Sequence, residues 1–467
     1  MNEFDVIVVG GGNAALCAAM AAREIVPRVL VLERAPEHMR GGNTRHVRNV
    51  RCAHASPDRF FSGAYSEEEL LEDLIGVTGG PANLDLAKFA IRQSSKLPEW
   101  MTRHGAAWQQ PLAGTLSLGR TNRWFLGGGK ALLNAYYRTA HKMGICIRYG
   151  AFVEDLLIEN DRCEAVALKN DDGQKNGGHE LVRARAVVIA AGGYEANIEW
   201  LKRHWGAAAD NFIVRGTPYN DGTLLAALLK KNAKPMGDPK GFHAIAIDAR
   251  APKFDGGIVT RLDAIPFGVV VNKLGRRFYD EGEAIWPKRY AIWGGLIAAQ
   301  PDQLAYAIVD LKTIGKFLPP MFKPYQAESI AELAKALDVD GRAFVETMEE
   351  YNRATSGRAD QNLETPDGNG TRGISPAKSN WAIPIDRAPF YALPLRPGIT
   401  FTYMGVAVDE TGRVLDQSGR AFRNLYAAGE IMSGNILTKG YLAGFGMTIG
   451  SVFGELAGRM AATNARG

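Results

Sequence analysis

Cysteine is scarce in this chain and long apolar runs are missing. The four cysteines among 467 residues, Cys17, Cys52, Cys146 and Cys163, lie far apart with no CxxC, CxxCH or iron–sulfur spacing. The chain therefore carries no second redox centre of its own. No apolar run reaches the roughly 18 residues that a membrane span needs. Nothing at the N-terminus reads as a signal peptide, because an apolar strand begins by Phe4, and a cytoplasmic location is expected. Lysines and arginines form no run, which argues against a nucleic-acid groove; the net charge of +5 fits an anionic small substrate or an acidic partner better. With 467 residues, 46% of them hydrophobic, the chain exceeds one compact core and two domains are expected.

What is present starts at once. Residues Phe4 to Arg34, FDVIVVGGGNAALCAAMAAREIVPRVLVLER, open with an apolar run, Val6 to Val9, that reads as a strand buried on both faces. Three glycines, an alanine-rich helix from Asn13 to Glu24 and a second apolar run, Arg28 to Leu32, complete a βαβ unit. Its fingerprint is G-x-G-x-x-A: Gly10 allows the tight turn, Gly12 lets the backbone approach a pyrophosphate, and Ala15 keeps the helix close to its strand. The helix N-terminus offers free N–H groups to a phosphate. Glu33 ends the second strand, where its carboxylate can accept hydrogen bonds from a ribose. These residues predict dinucleotide binding, FAD or NAD.

Further along, Arg40, Arg45, Arg48 and Arg51 form either a solvated loop or counter-charges to a diphosphate. Ser66 to Ile75 and Asn83 to His104 read as helices, the first with an N-cap serine and a capping-box acid. Arg123 to Lys130 suggests a glycine loop, Gly127 to Gly129, wrapped close to a ligand. Strands are expected over Ile145 to Leu157, Glu164 to Asn170 and Arg183 to Ala191, with a turn from Asp171 to Gly178; the last strand ends in Gly192-Gly193 and returns the chain to the cofactor. From about Gly237 prolines become frequent, strands shorten and helices such as Ser329 to Leu337 and Arg342 to Ala354 look surface-like. The first pattern resumes near Gly398, with a strand ending in Gly429-Glu430 and a glycine-rich C-terminal helix. This predicts an α/β protein with a Rossmann-like, parallel-sheet FAD-binding domain over 1–236 and 398–467, into which an α+β capping domain, 237–397, is inserted.

At this point the chain resembles the flavoprotein subunits of the fumarate reductase and succinate dehydrogenase superfamily, over essentially its whole length. The markers are GGGNAA with Glu33, GGNT at 41–44, AAGG at 190–193, NDG at 220–222, VNKLGRRFYDEG at 271–282 and AAGE at 427–430. The resemblance implies FAD, and cofactor contacts at Gly10, Gly12, Asn13, Ala14, Ala15, Glu33, Arg34, Gly42, Asn43, Thr44, Gly127, Gly128, Gly129, Val153, Ala191, Gly192, Asp221, Gly429, Glu430, Leu442 and Gly444. Some relatives bond FAD covalently to a histidine in the loop after the first βαβ unit. Thr44 takes that place here, so non-covalent FAD is expected, with His46 close by. Within the superfamily the likeness is to the tricarballylate-oxidising dehydrogenases, on GGNTRHVRN, the DEG-to-WPKRY stretch and GYLAGFGMT. That implies oxidation of propane-1,2,3-tricarboxylate to cis-aconitate, with electrons passing to a separate membrane-associated iron–sulfur partner.

Such an oxidation moves a hydride from one carbon toward flavin N5 while a base takes a proton from its neighbour, and cations must meet the adjoining carboxylates. By resemblance His243 and Thr260 match a cap histidine and threonine, while Arg261 stands where the family has a glutamate. Arg289 is nominated as the proton-carrying arginine; a substrate clamp or a salt bridge is the plain structural alternative. The family's carboxylate-binding histidine falls at Phe401 and its C-terminal arginine at Tyr441, so Tyr403, Tyr441, Arg261, Arg289 and Arg396 remain to build the site. Trp286 and Trp293 read as cap core and Lys288 as a surface neighbour. The rivals are a fumarate reductase-like enzyme, a 3-ketosteroid Δ1-dehydrogenase-like enzyme, which would want an apolar pocket, and a flavin-free binding chaperone, which the intact glycines oppose.

Overall fold

The computed structural model describes residues 4–112, 117–169, 179–284, 290–355, 363 and 365–467. Eight elements position the site: β1 (Phe4–Val9), α1 (Asn13–Arg23), β2 (Val29–Leu32), β3 (His179–Ile189), β4 (Phe242–Asp248), β5 (Phe390–Thr402), β6 (Ala421–Ala427) and α2 (Phe445–Arg466). The main sheet runs Arg413–Leu415, β6, β3, β1, β2, Cys146–Arg148, parallel from β6 to Cys146–Arg148 and antiparallel at its first strand, and Val153–Glu159 and Arg162–Lys169 join it as an antiparallel pair beside β3. Val8 stands opposite Val31 on one side and Val188 on the other, while Tyr426 pairs with Val188. Strands from both ends of the chain thus share one sheet, and β1 is buried on both faces because β-branched residues fill it.

Helix α1 is apolar nearly all round because α2 covers its outer side. A Cβ at Gly454 would lie 2.5 Å from the Ala14 carbonyl oxygen, and one at Gly458 would lie 2.1 Å from that of Ala18. The C-terminal glycines therefore serve helix–helix approach.

A second, six-stranded sheet is organised by β5, which pairs antiparallel with β4, Ala305–Asp310 and Tyr325–Ala327 and parallel with Ile213–Val214; Val269–Asn272 joins beyond Ala305–Asp310. Residues 213–214 and 398–402 thus belong to the sheet built mainly from 237–397, and the boundary read at 397 falls inside a continuous strand. Pro394 and Pro397, which cannot donate to a ladder, hide that strand in the sequence. At its end β5 meets the first sheet, where Thr402 N donates to Glu430 Oε1 at 2.7 Å.

Local differences have local causes. The helix expected over 83–104 is two, Leu84–Ser94 and Leu97–Arg103, with Pro98 in the first turn of the second. The strand expected over 145–157 is interrupted at Gly150, in a left-handed turn at φ +66°, giving Cys146–Arg148 and Val153–Glu159. Ser66 caps Glu67–Thr78 as read, accepting from Glu69 N at 3.2 Å. The turn Asp171 to Gly178 lies outside the described residues, as does part of the loop over 356–380. Among the described residues no helix is long and apolar enough to cross a membrane, and no His/Cys/Asp/Glu group could hold a metal ion.

Candidate functional site

One cavity runs from the turn after β1 to the face of the second sheet. Its first part is a dinucleotide cradle. Gly10 sits at φ +118°, and a Cβ there would lie 2.2 Å from the Ala190 carbonyl oxygen, so only glycine fits between β1 and the end of β3. At Gly12 the nearest atom to a built Cβ is Thr44 Oγ1 at 3.4 Å: the chain leaves this spot open. Helix α1 has no side-chain cap and no acid in its first turn, which leaves its N-terminus electropositive. Asn13 N donates to Thr44 Oγ1 at 3.0 Å.

Buried Glu33 accepts from Ala35 N at 2.8 Å and Gly41 N at 3.1 Å, and burial pushes its carboxyl above the usual range. Arg34 pairs with Asp221 at 2.6 Å and lies 4.0 Å over the Phe152 ring. Glu430 and Glu195 are buried together: burial raises both carboxyls, and the Glu195 charge pushes that of Glu430 further up, while a hydrogen bond with Glu430 partly offsets the rise at Glu195. Two adjoining buried carboxylates cannot both ionise readily.

Of the cofactor residues expected from the sequence, Gly10, Gly12, Asn13, Ala14, Glu33, Arg34, Gly42, Asn43, Thr44, Val153, Ala191, Gly192, Asp221, Gly429, Glu430 and Gly444 line this cavity. Ala15, Leu442 and Gly127–Gly129 do not. Ala15 is fully buried in α1, where a small side chain serves the packing, and Leu442 is core. Gly129 backs the 42–46 loop instead: its N donates to the Val47 carbonyl at 2.8 Å, and a Cβ there would lie 1.8 Å from the Thr44 carbonyl oxygen. His46 lines the cavity, yet its Nε2 is 2.5 Å from Asp255 Oδ1. Burial, helped by Arg215 and Arg45 and opposed by Asp255, holds this imidazole down at about 4.

The far part is cationic and aromatic. A register shift after His243 interrupts the β4–β5 ladder, and His243 stands opposite Phe401. The imidazole is buried, stacks on Tyr441 with 3.9 Å between centroids, and leaves Nδ1 without a partner among the described residues. Burial, reinforced by Arg215 and Arg261, holds it well below its ordinary value, so it is neutral at pH 7. Tyr441 Oη accepts from Gly446 N at 3.1 Å in the first turn of α2, and burial keeps its hydroxyl protonated. Arg261 Nε donates to Asp263 Oδ1 at 2.7 Å, and its guanidinium lies 4.1 Å over Tyr290.

Two further arginines join them. Arg215 Nε donates to Thr400 Oγ1 at 2.9 Å while the buried NH1 has no partner among the described residues, and Arg48 also lines the cavity. Burial lowers both guanidiniums to about 10. Arg215 was not singled out from the sequence, where nothing marks one arginine after a two-residue strand; Arg48 was one of an undivided group of four. Tyr290, Leu118, Trp124, Ile258 and Phe401 complete this wall.

Thr260 and Tyr403, expected at the substrate, stand off the cavity. Thr260 Oγ1 donates to the Gly257 carbonyl at 3.0 Å and closes a helical turn, and Tyr403, past the end of β5, donates to the Gly440 carbonyl. Both hydroxyls are used in building the walls. Arg396 faces outward and donates to the Asp302 carbonyl at 2.8 Å. Arg289 lies outside the described residues, with Trp286 and Lys288.

The open spot at Gly12, the uncapped helix and the buried Glu33 suit an FAD whose pyrophosphate and ribose meet them. Comparison with known proteins agrees. Residues 5–444 match the FAD binding domain family. NADH:fumarate oxidoreductase of Klebsiella pneumoniae (strain 342) is 28% identical over the whole chain; the chain spans 48% of that relative. Among solved structures, the open conformation of a flavocytochrome c3 fumarate reductase superposes with a TM-score of 0.77 at 21% identity, covering 99% of this chain and 79% of that one. A 3-ketosteroid-Δ4-(5α)-dehydrogenase from Rhodococcus jostii RHA1 gives 0.74 at 22% identity, covering 98% and 97%. With its cradle, its parallel sheet and the match over residues 5–444 together, the chain belongs to the FAD binding domain family, and it shares its fold with the flavocytochrome c3 fumarate reductase.

Proposed function

We propose that this oxidoreductase converts tricarballylate to cis-aconitate and hands the electrons to a separate, membrane-associated iron–sulfur protein, working in the cytoplasm at the inner membrane face. One observation supports the substrate class above all. Arg215, buried, and Arg48, half-buried, are guanidiniums at the cavity with no carboxylate partner among the described residues, whereas Asp263 is taken by Arg261 and Asp255 by His46 and Arg45. Buried charge without a counter-ion is costly, so the site favours a ligand that brings at least two negative charges.

Bound FAD supplies the two-electron acceptor. The protein's own groups do the rest. The arginines hold the carboxylates and, by drawing their charge, acidify the neighbouring C–H bond. Neutral His243 presents Nδ1 as a hydrogen-bond partner without adding charge. Tyr441 keeps an O–H to donate, because its oxygen already accepts from Gly446 N. The aromatic wall of Trp124, Phe401 and Tyr290 excludes water.

The test is a substrate screen on FAD-loaded protein with a dye acceptor, following flavin bleaching. Tricarballylate should bleach the flavin. Bleaching by a 3-ketosteroid instead, or by succinate alone, discards this substrate.

A further inference from the structure

Three guanidiniums face the far part of the cavity, and they are not equivalent. Arg261 is neutralised by Asp263 and stacked on Tyr290. Arg48 lines the cavity from a loop, with no side-chain hydrogen bond among the described residues. Among the described residues Arg215 alone of the three is buried, rigidly mounted and without a counter-charge. Its N donates to the Ile399 carbonyl at 2.8 Å and its Nε to Thr400 Oγ1 at 2.9 Å. Asn43 locks the two segments together, donating to the Thr400 carbonyl at 2.6 Å and accepting from Thr217 N at 2.8 Å. What remains is an unbonded NH1, buried at the cavity wall.

We infer that Arg215, held by Thr400, is the specificity residue that binds the carboxylate distinguishing a tricarboxylate from a dicarboxylate. This rests on the tricarboxylate reading above. A dicarboxylate held by the other two arginines leaves Arg215 buried and unpaired, and a site rejects most strongly the ligand that strands one of its buried polar groups. Thr400 is a positioning residue: it holds the fork of the guanidinium without itself needing to touch the ligand.

The test uses FAD-loaded wild type and the variants Arg215→Gln, Arg215→Lys and Thr400→Val, with FAD content confirmed for each. Affinity is read from the flavin absorbance change on titration with tricarballylate, with glutarate, which lacks its central carboxylate, and with succinate; kcat and KM are measured alongside. Arg215→Gln should weaken tricarballylate on the order of 100-fold and the dicarboxylates far less. Arg215→Lys should recover part of that loss, and Thr400→Val should raise KM for tricarballylate with little change in kcat. Equal losses for all three acids, or no loss for any, overturn the assignment. If wild type binds tricarballylate without being reduced by it, the proposed reaction falls, while the binding comparison still decides on Arg215.

Discussion

His243 and Tyr441 stack face to face, 3.9 Å between ring centroids and 12° between planes, although 198 positions separate them in the chain. The contact joins β4 of the second sheet to the entry of α2, which packs on the first, and puts an uncharged imidazole beside a protonated phenol. Loss of the Tyr441 hydroxyl alone is the cleanest probe of this pair. Tyr441→Phe keeps the stack and should lower kcat for tricarballylate between about tenfold and a hundredfold while retaining FAD. Rapid-mixing measurement of flavin reduction at wild-type rate would remove Tyr441 from the chemistry.

His243 also sets a pH dependence. In the unfolded chain it takes up a proton near pH 6.5, whereas the buried ring resists until well below that. Below pH 6.5 the unfolded state therefore holds more protons, and stability must fall as pH drops, by up to about 1.4 kcal/mol per pH unit, until the folded ring itself titrates. Thermal unfolding between pH 7.5 and 5 should show a shallower fall for His243→Gln than for wild type. Parallel curves would mean that the ring is already protonated in the fold.

Gly12→Ala separates folding from cofactor binding. The added methyl meets Thr44 Oγ1 at 3.4 Å and the Gly41 carbonyl oxygen at 3.5 Å, both ordinary contacts, at a position whose φ is −79°. The variant should fold with near wild-type circular dichroism yet bind FAD at least tenfold more weakly, because the methyl fills the space kept for the pyrophosphate. Undiminished yellow colour after gel filtration would contradict that placement.

FAD should be held without a covalent bond. Thr44 Oγ1 is occupied with Asn13 N, and His46 Nε2 with Asp255. Acid precipitation should release all the flavin into the supernatant; colour left in the pellet would identify a bonded residue by peptide mapping.

Removing Arg261 acts on stability as well as on the site, because it takes a charged partner from the buried Asp263 carboxylate. Arg261→Gln should destabilise the protein by about 3–5 kcal/mol in urea unfolding. The double variant Arg261→Gln/Asp263→Asn should regain most of that stability but not turnover. Full activity in the double variant would show that Arg261 serves only the fold.

The residues that act over short stretches were legible from the chain alone. The alternation of apolar strand, glycine turn, small-residue helix and terminal acid in Phe4 to Arg34 dictates a βαβ unit whatever surrounds it, and it fills the first part of the cavity as read. The glycine loop at 127–129 carries the same local signature as a ligand-binding turn. Its use as a support for the 42–46 loop depends on a contact that spacing does not encode. Thr260 and Tyr403 were placed at the substrate by motif position, and a single hydrogen bond apiece draws them into the walls.

The amino-acid sequence by itself determined the nucleotide-binding turn and the parallel sheet shared by both ends of the chain, since these follow from hydrophobic period and glycine spacing, while FAD rather than NAD was implied by the family resemblance. Only the tertiary structure decided which cations reach the substrate cavity. Arg215 becomes a buried, rigid anion ligand because Ile213–Val214 pairs with Gly398–Ile399, nearly two hundred residues away, and strand pairing at that distance is set by the packing of the whole core rather than by any local pattern.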